Sequence, residues 1–250
     1  MSRQFRGNGN KKGGGRGGGL IGRNARVRVK NARGRKLSST RWLDRQLNDP
    51  YVKAARKHGY RSRASFKLLQ LDDRFGFLAR GHRVVDLGAA PGGWTQVAVE
   101  RTKPQESGGK VIAIDVREIE PIVGAENLVL DICDAQAPEL LKVALGGEAD
   151  VVLSDMAAAV TGHKSTDHLR TMALCEEAHS FAVETLVLGG VFIMKAFAGG
   201  AHGELMAAVK KDFETVRTVK PDASRSESPE TYVVAMGCRA RKFLSSSEGL

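Results

Sequence analysis

Asp86-Leu-Gly88-Ala-Ala-Pro91-Gly92-Gly93-Trp94 stands directly after the apolar run Val84-Val-Asp-Leu87 begins and ahead of an amphipathic stretch. A short apolar run, then closely spaced glycines, then a helical pattern reads as a strand-to-helix turn. The glycines let the backbone bend sharply and approach a ligand with no Cβ in the way. The spacing is Gly-x-x-x-Gly-Gly, not the Gly-x-Gly-x-x-Gly of dinucleotide-binding turns, and Pro91 stiffens it. A turn of this kind alone is equally compatible with a tight connection that binds nothing.

Outward from this turn the same grammar repeats. Short apolar runs occur at Val84 to Leu87, Val111 to Ile114, Leu128 to Leu130, Val151 to Leu153, Val191 to Met194, Val216 to Val219 and Tyr232 to Met236. Helical patterns separate most of them, the longest from about His168 to Leu188. Strand and helix in alternation predict an α/β fold with a mostly parallel seven-stranded sheet and helices on both faces. Such sheets bind ligands outside the carboxyl ends of their strands.

Acidic residues fall where that edge is expected. Asp115 ends the second strand, where a carboxylate can accept both hydroxyls of a ribose. Asp131 follows the third strand and can meet an adenine amino group, and Asp155 closes the fourth. Each acid alone is as consistent with a helix cap. An edge carrying Asp86, Asp115, Asp131 and Asp155 suits a positively charged ligand better than a pyrophosphate. The expected cofactor is S-adenosylmethionine, and a dehydrogenase lacks its glycine spacing here.

Lys195 closes the fifth strand at the same edge. If the strand from Thr231 runs antiparallel to the others, Glu230 also starts there, and Lys67 lies in a helix expected over Ser62 to Leu71. Ahead of the sheet, Trp42, Leu43, Leu47, Val52 and Ala55 and then Phe66, Leu68, Leu69 and Leu71 suggest two short helices parted by Asn48-Asp49-Pro50.

Tyr60-Arg-Ser-Arg-Ala-Ser-Phe-Lys67-Leu, Asp86 to Trp94, Ser154-Asp155-Met156-Ala157, Met194-Lys195-Ala196-Phe197 and Lys220-Pro-Asp-Ala-Ser-Arg with Glu230-Thr-Tyr232 closely resemble the RrmJ/FtsJ family of ribose 2'-O-methyltransferases, in one order and register over about Arg41 to Met236. The resemblance implies a Rossmann-like S-adenosylmethionine-dependent methyltransferase fold. It puts a catalytic tetrad on Lys67, Asp155, Lys195 and Glu230, with Lys195 as proton acceptor. It puts cofactor contacts on Gly92, Trp94, Asp115, Asp131 and Asp155. The implied substrate is a uridine in the A loop of 23S rRNA within the large ribosomal subunit. A tRNA 2'-O-methyltransferase and a non-catalytic ribosome-assembly factor are the competing functions; the second would have lost a tetrad member, and none is lost. The residue types suit the chemistry: a ribose hydroxyl is a poor nucleophile, so methylation needs in-line positioning and a proton acceptor.

Composition sets the remaining bounds. With 42% hydrophobic and 27% charged residues the chain can bury a core. Cys133, Cys175 and Cys238 are far apart, without a Cys-x-x-Cys pair, which fits a reducing cytoplasmic address and no zinc ribbon. His163, His168 and His179 have no clustered acids or cysteines beside them, so no metal is expected. No signal peptide or membrane span is expected either. A monomer is expected.

The formal charge is +11, but residues 1 to 43 hold 13 Lys and Arg and no acid, which leaves 26 bases against 28 acids in the rest. A basic Gly/Arg-rich tail over 1 to 40, expected to be disordered, thus precedes a methyltransferase domain over 41 to 243, with 244 to 250 a disordered terminus. Cations without acids form a polyanion footprint that acts by counterion release. A chain beginning near Arg41 should therefore bind RNA more weakly at low salt. Its slope of log affinity against log salt should be shallower by about 0.7 to 0.9 for each phosphate that the tail no longer neutralises, with unchanged turnover at saturating substrate. A salt series checks this, and an unaltered slope would reduce the tail to a solubility device.

Overall fold

Valine, isoleucine and leucine dominate the strand runs, and in a computed structural model they form the middle of one sheet with both faces covered. The structure describes residues 27, 34, 36–158, 161–197 and 202–239, so the expected disorder of the two termini falls almost wholly outside the described residues. By internal contacts the chain divides into Met1–Pro50 and Tyr51–Leu250. In the first unit, helix α1 spans Leu37–Asn48. Asn48 closes a contact back to Val27, accepting from its N–H at 2.7 Å and donating to its carbonyl at 2.9 Å. The boundary expected between residues 40 and 41 lies inside α1, so a cut that removes the tail and spares this helix falls before Leu37.

The second unit adds α2 (Pro50–His58, beginning one residue inside the first unit) and α3 (Ser65–Phe75). Among the described residues three helices thus precede the sheet where the sequence suggested two. Gly59, at φ +75°, ends α2, and the chain turns through 60–64 before α3 begins, three residues later than the expected Ser62. Gly76, at φ +64°, ends α3 with its N–H on the Asp72 carbonyl at 2.7 Å. Left-handed glycines of this sort terminate helices at little steric cost.

The sheet contains β1 (Arg83–Leu87), β2 (Lys110–Asp115), β3 (Glu126–Val129), β4 (Ala149–Ser154), β5 (Leu186–Phe197), β6 (Phe213–Val219) and β7 (Glu230–Cys238), in the order β3-β2-β1-β4-β5-β7-β6. β7 pairs antiparallel with both β5 and β6, whereas the pairs β1–β2, β1–β4, β2–β3 and β4–β5 are parallel. All seven predicted strands are present. β5 is longer than its predicted core because Leu186-Val-Leu188, read as the end of a helix, is already extended at Leu186. An apolar triplet carries no period that separates the two states.

Helices α4 (Gly93–Thr102), α5 (Pro104–Ser107), α6 (Ala137–Leu145), α7 (Lys164–Thr185) and α8 (His202–Asp212) complete the unit. One core joins α6, α7 and α8 to Val85, Leu87, Ile112, Val152, Phe192 and Val233. The other joins α3 and α4 to Val84, Val111, Val151, Ile193 and Tyr232. Alternate strand residues serve opposite cores, as a sheet covered on both faces requires. Successive connections depart from β1 toward β2 on one side and reach β4 on the other. The strand order therefore reverses at β1–β4, the place where a doubly wound sheet opens a crevice.

Candidate active site

The loop after β1 forms one wall of that crevice. Gly88 lies at φ +68°, and a Cβ there would sit 2.3 Å from Cγ of Met156, so the residue after Asp155 packs directly on the glycine. The Ala90–Pro91 peptide is cis. The loop is tied to the second strand by the Ala90 N–H, which donates to Oδ2 of Asp115 at 2.9 Å. Oδ1 of Asp115 accepts from the Arg117 N–H at 3.0 Å and from its guanidinium at 3.3 Å.

A cavity of about 620 Å³ opens beside this loop, lined by Gly88, Ala90, Asp115, Arg117, Asp131 and Asp155, with apolar walls from Ile114, Leu130, Ile132, Met156 and Leu174. Its volume is ordinary for a small-molecule site. The lining suits an adenosine: apolar side chains to flank a flat base, and two carboxylates that keep lone pairs for hydroxyl and amino donors. Asp131 accepts from the Cys133 N–H at 3.0 Å, which orients it at the end of β3.

Gly92 and Trp94 are not among the lining residues. A Cβ on Gly92, at φ +103°, would come within 2.5 Å of Cδ1 of Ile122 and 3.1 Å of the Arg61 guanidinium. Trp94 is buried; its indole N–H donates to the Ala64 carbonyl at 2.9 Å and its ring lies 5.7 Å from that of Tyr232. Both lie at the start of α4, packed against Ile122, Arg61 and Tyr232. Asp86 is also turned inward, accepting from the Thr95 hydroxyl at 2.7 Å.

The four tetrad positions do converge. Antiparallel pairing puts Lys195 opposite Tyr232 and Phe197 opposite Glu230, and parallel pairing puts Ser154 beside Met194, so Asp155 emerges next to Lys195. Nζ of Lys67 lies 2.8 Å from Oε1 of Glu230 and donates to the Tyr232 hydroxyl at 2.9 Å. That hydroxyl donates to Oδ1 of Asp155 at 2.7 Å. Nζ of Lys195 lies 3.0 Å from the same Oδ1 and donates as well to the Asp155 main-chain carbonyl. Glu230, Lys67, Tyr232, Asp155 and Lys195 thus form one continuous chain, and Asp155 belongs to both this chain and the cofactor-sized cavity.

Tyr232 is the member that the sequence reading did not single out. Its signal was its place two residues after Glu230 on a strand, which puts both side chains on one face. Burial, and then the charges of Asp155 and Glu230, push its phenol well above the usual value. It therefore stays protonated, accepting from a lysine and donating to an aspartate. Cys175 lies behind the site, its buried thiol donating to the Lys195 carbonyl at 3.2 Å; burial raises that thiol to about 11. Away from the site, His179 pairs with Asp212 at 3.0 Å in the core. Among the described residues no group of three or more His, Cys, Asp or Glu is placed to hold a metal ion, and no helix is long and apolar enough to cross a membrane.

The sequence pattern of the FtsJ-like methyltransferases matches residues 60–238. The chain is 59% identical over 224 residues to the ribosomal RNA large subunit methyltransferase E of Cereibacter sphaeroides strain ATCC 17023, which covers 88% of this chain and 92% of that one. It is 60% identical over 220 residues to the protein of the same description from Paramagnetospirillum magneticum, covering 87% of this chain and 90% of that one. A crystal structure from Plasmodium falciparum, described as a ribosomal RNA methyltransferase, superposes with a TM-score of 0.65 at 30% identity, covering 73% of this chain and 100% of that one.

Asp86 gives the site a pH signature. Burial, opposed by the Thr95 hydrogen bond and reinforced by the charges of Asp155 and Asp115, raises its carboxyl to about 7. The folded state then holds a proton that the unfolded chain has released. The stability that this group contributes is complete below its unfolded value near 4 and is lost as pH rises through about 7. The slope within that window is on the order of 1.4 kcal/mol per pH unit. Asp86→Asn, which keeps an acceptor for Thr95, should remove this slope. Melting of both proteins from pH 4 to 8 checks it, and a difference between them that does not vary with pH would exclude the raised carboxyl.

Proposed function

The chain belongs to the FtsJ-like methyltransferase family, and from that premise we propose that it transfers a methyl group from S-adenosylmethionine to the 2'-hydroxyl of a ribose, at a uridine in the A loop of 23S rRNA within the large ribosomal subunit. The observation that carries the chemistry is the sharing of Asp155 between the cavity and the Lys67–Tyr232–Lys195 network. The large-subunit substrate rests on the descriptions and close identity of the relatives from Cereibacter and Paramagnetospirillum. The same reading makes the protein a cytoplasmic monomer.

S-adenosylmethionine, when bound, supplies a methyl carbon activated by a positively charged sulfur. Asp115 and Asp131 hold the ribose hydroxyls and the base, with Asp115 fixed in advance by the Ala90 and Arg117 N–H groups. Gly92 and Trp94 act on the cofactor through the backbone that they shape. With that donor bound, Lys195 would accept the hydroxyl proton at Nζ as the ribose oxygen takes the methyl group. For that, the Lys195 ammonium must first give one proton to solvent, and the neutral amine that results has two N–H bonds and one lone pair. The carboxylate and the main-chain carbonyl of Asp155 can take both N–H bonds, which leaves the lone pair for the incoming hydroxyl. Lys67, braced by Glu230, adds positive charge beside the ribose and fixes Tyr232.

Incubation with methyl-labelled S-adenosylmethionine and, separately, undermethylated large subunits, naked rRNA and tRNA should label the subunits. Label confined to tRNA would overturn the substrate, and no label on any RNA would overturn the activity. Lys195→Ala should still bind S-adenosylmethionine but lose about 10² to 10⁴ in single-turnover rate; a near-normal rate would reject its role as acceptor. Asp115→Ala should weaken S-adenosylmethionine by about 1 to 3 kcal/mol in calorimetry while leaving the melting transition cooperative.

A further inference from the structure

Lys67 and Glu230 meet across a large gap in sequence, and something must hold the segment before Glu230 in place. That segment is the β6–β7 connection, from Lys220 to Pro229. It is braced from within: Nζ of Lys220 donates to the Ser226 carbonyl at 3.0 Å and the Ser228 carbonyl at 2.6 Å, and the Ser224 N–H donates to the Pro221 carbonyl at 2.8 Å. Its last brace is the Glu230 N–H on the Ser228 hydroxyl at 3.3 Å. A connection braced in this way moves as a unit, so its position depends on what grips it from outside.

An outside grip falls on Ala223, which is fully buried. Its N–H donates to Oε1 of Gln70 at 2.8 Å, and its carbonyl accepts from the Arg63 guanidinium. Both polar groups of one buried residue are thus satisfied by side chains from the turn before α3 and from α3 itself, which also carries Lys67. Gln70 stands three residues after Lys67, on the same side of the helix. The two gripping side chains are themselves fixed on Tyr51: Nε2 of Gln70 donates to its hydroxyl at 3.3 Å, and the Arg63 guanidinium lies 5.7 Å from its ring centre. Phe66 packs against the same ring at 5.5 Å. With its amide nitrogen on Tyr51, Gln70 can offer only its oxygen to Ala223, so the grip has one orientation.

We propose that Gln70 and Arg63 are positioning residues for methyl transfer: by gripping Ala223 they hold the β6–β7 connection where Glu230 meets Lys67. The path is a closed ring, from Lys67 along α3 to Gln70, across to Ala223, along the braced connection to Glu230 and back to Lys67. Neither residue lines the cofactor cavity. Losing the grip therefore loosens the Lys67–Glu230 contact and, through Tyr232, the placement of Asp155, without removing any group from the cavity.

The inference rests on the methyl-transfer reading, and the experiment separates the two. In the full chain, Gln70→Leu should bind S-adenosylmethionine as tightly as the parent yet slow single-turnover transfer to undermethylated large subunits by about 10- to 100-fold, the scale of a displacement near 1 Å at a reacting centre. Gln70→Glu, which keeps the acceptor for the Ala223 N–H, should recover most of that rate. In a Glu230→Gln background, Gln70→Leu should add little, because its effect passes through Glu230. Amide exchange over residues 220–230 should accelerate in Gln70→Leu and not in Gln70→Glu. Full multiplication of the losses in the double variant, or unchanged exchange in Gln70→Leu, would overturn the positioning role. Should the parent transfer no label to any RNA, the functional reading falls, and the exchange measurement still decides whether Gln70 holds the connection.

Discussion

One carboxylate oxygen, Oδ1 of Asp155, accepts from the Tyr232 hydroxyl at 2.7 Å and lies 3.0 Å from Nζ of Lys195. Everything that approaches the site meets at this atom. The cavity wall reaches it through β4, Lys195 reaches it through β5, and Lys67 and Glu230 reach it through β7 and its tyrosine. The arrangement is possible because β7 runs against its neighbours and so begins where β4 and β5 end. A parallel seventh strand would deliver its first residues to the opposite edge, some ~20 Å away for a strand of ordinary length.

Enclosing four charges in this way costs solvation that Coulomb attraction alone does not reliably return. The structure offsets the cost by alternating sign along the chain, Glu230, Lys67, Asp155 and Lys195, with a neutral hydroxyl at the joint. Tyr232 suits that place because its raised phenol keeps its proton. A phenolate there could not donate to Asp155 and would add a third negative group to the pocket. Removing any one member strands a partner, so single substitutions along the chain report the cost of that isolation together with the missing chemistry.

Much of this was legible because the relevant spacing was short-range. The turn from Asp86 to Trp94, the acids at the strand ends and the lysine closing β5 each follow from position within a strand-helix unit, and strand order then brings them to one edge. What the sequence did not disclose was set by long-range contacts. Nothing local signals that the Trp94 indole N–H donates to the Ala64 carbonyl, thirty positions earlier in the chain. The start of α3 was misplaced by three residues, at Ser62 and not Ser65. Tyr232 was visible only as part of a motif, since its two hydrogen-bond partners lie 165 and 77 residues away. The grip on Ala223 has no sequence signal, because an alanine contributes only its backbone.

The position of β7 also constrains how the chain can be assembled. β6 borders the sheet only through β7, which is synthesised after it. Until residues 230–238 have emerged, a nascent chain can complete β3-β2-β1-β4-β5 but leaves the apolar margin of β5 bare and β6 without a place in the sheet. Open strand margins of that kind recruit other chains. The element that finishes the chain from Glu230 to Lys195 is thus also the one that seals the sheet. A ribosome stalled before Glu230 would hold a chain that lacks the last member of this network and keeps an open sheet margin, so completion of the network and protection from aggregation arrive in a single late step.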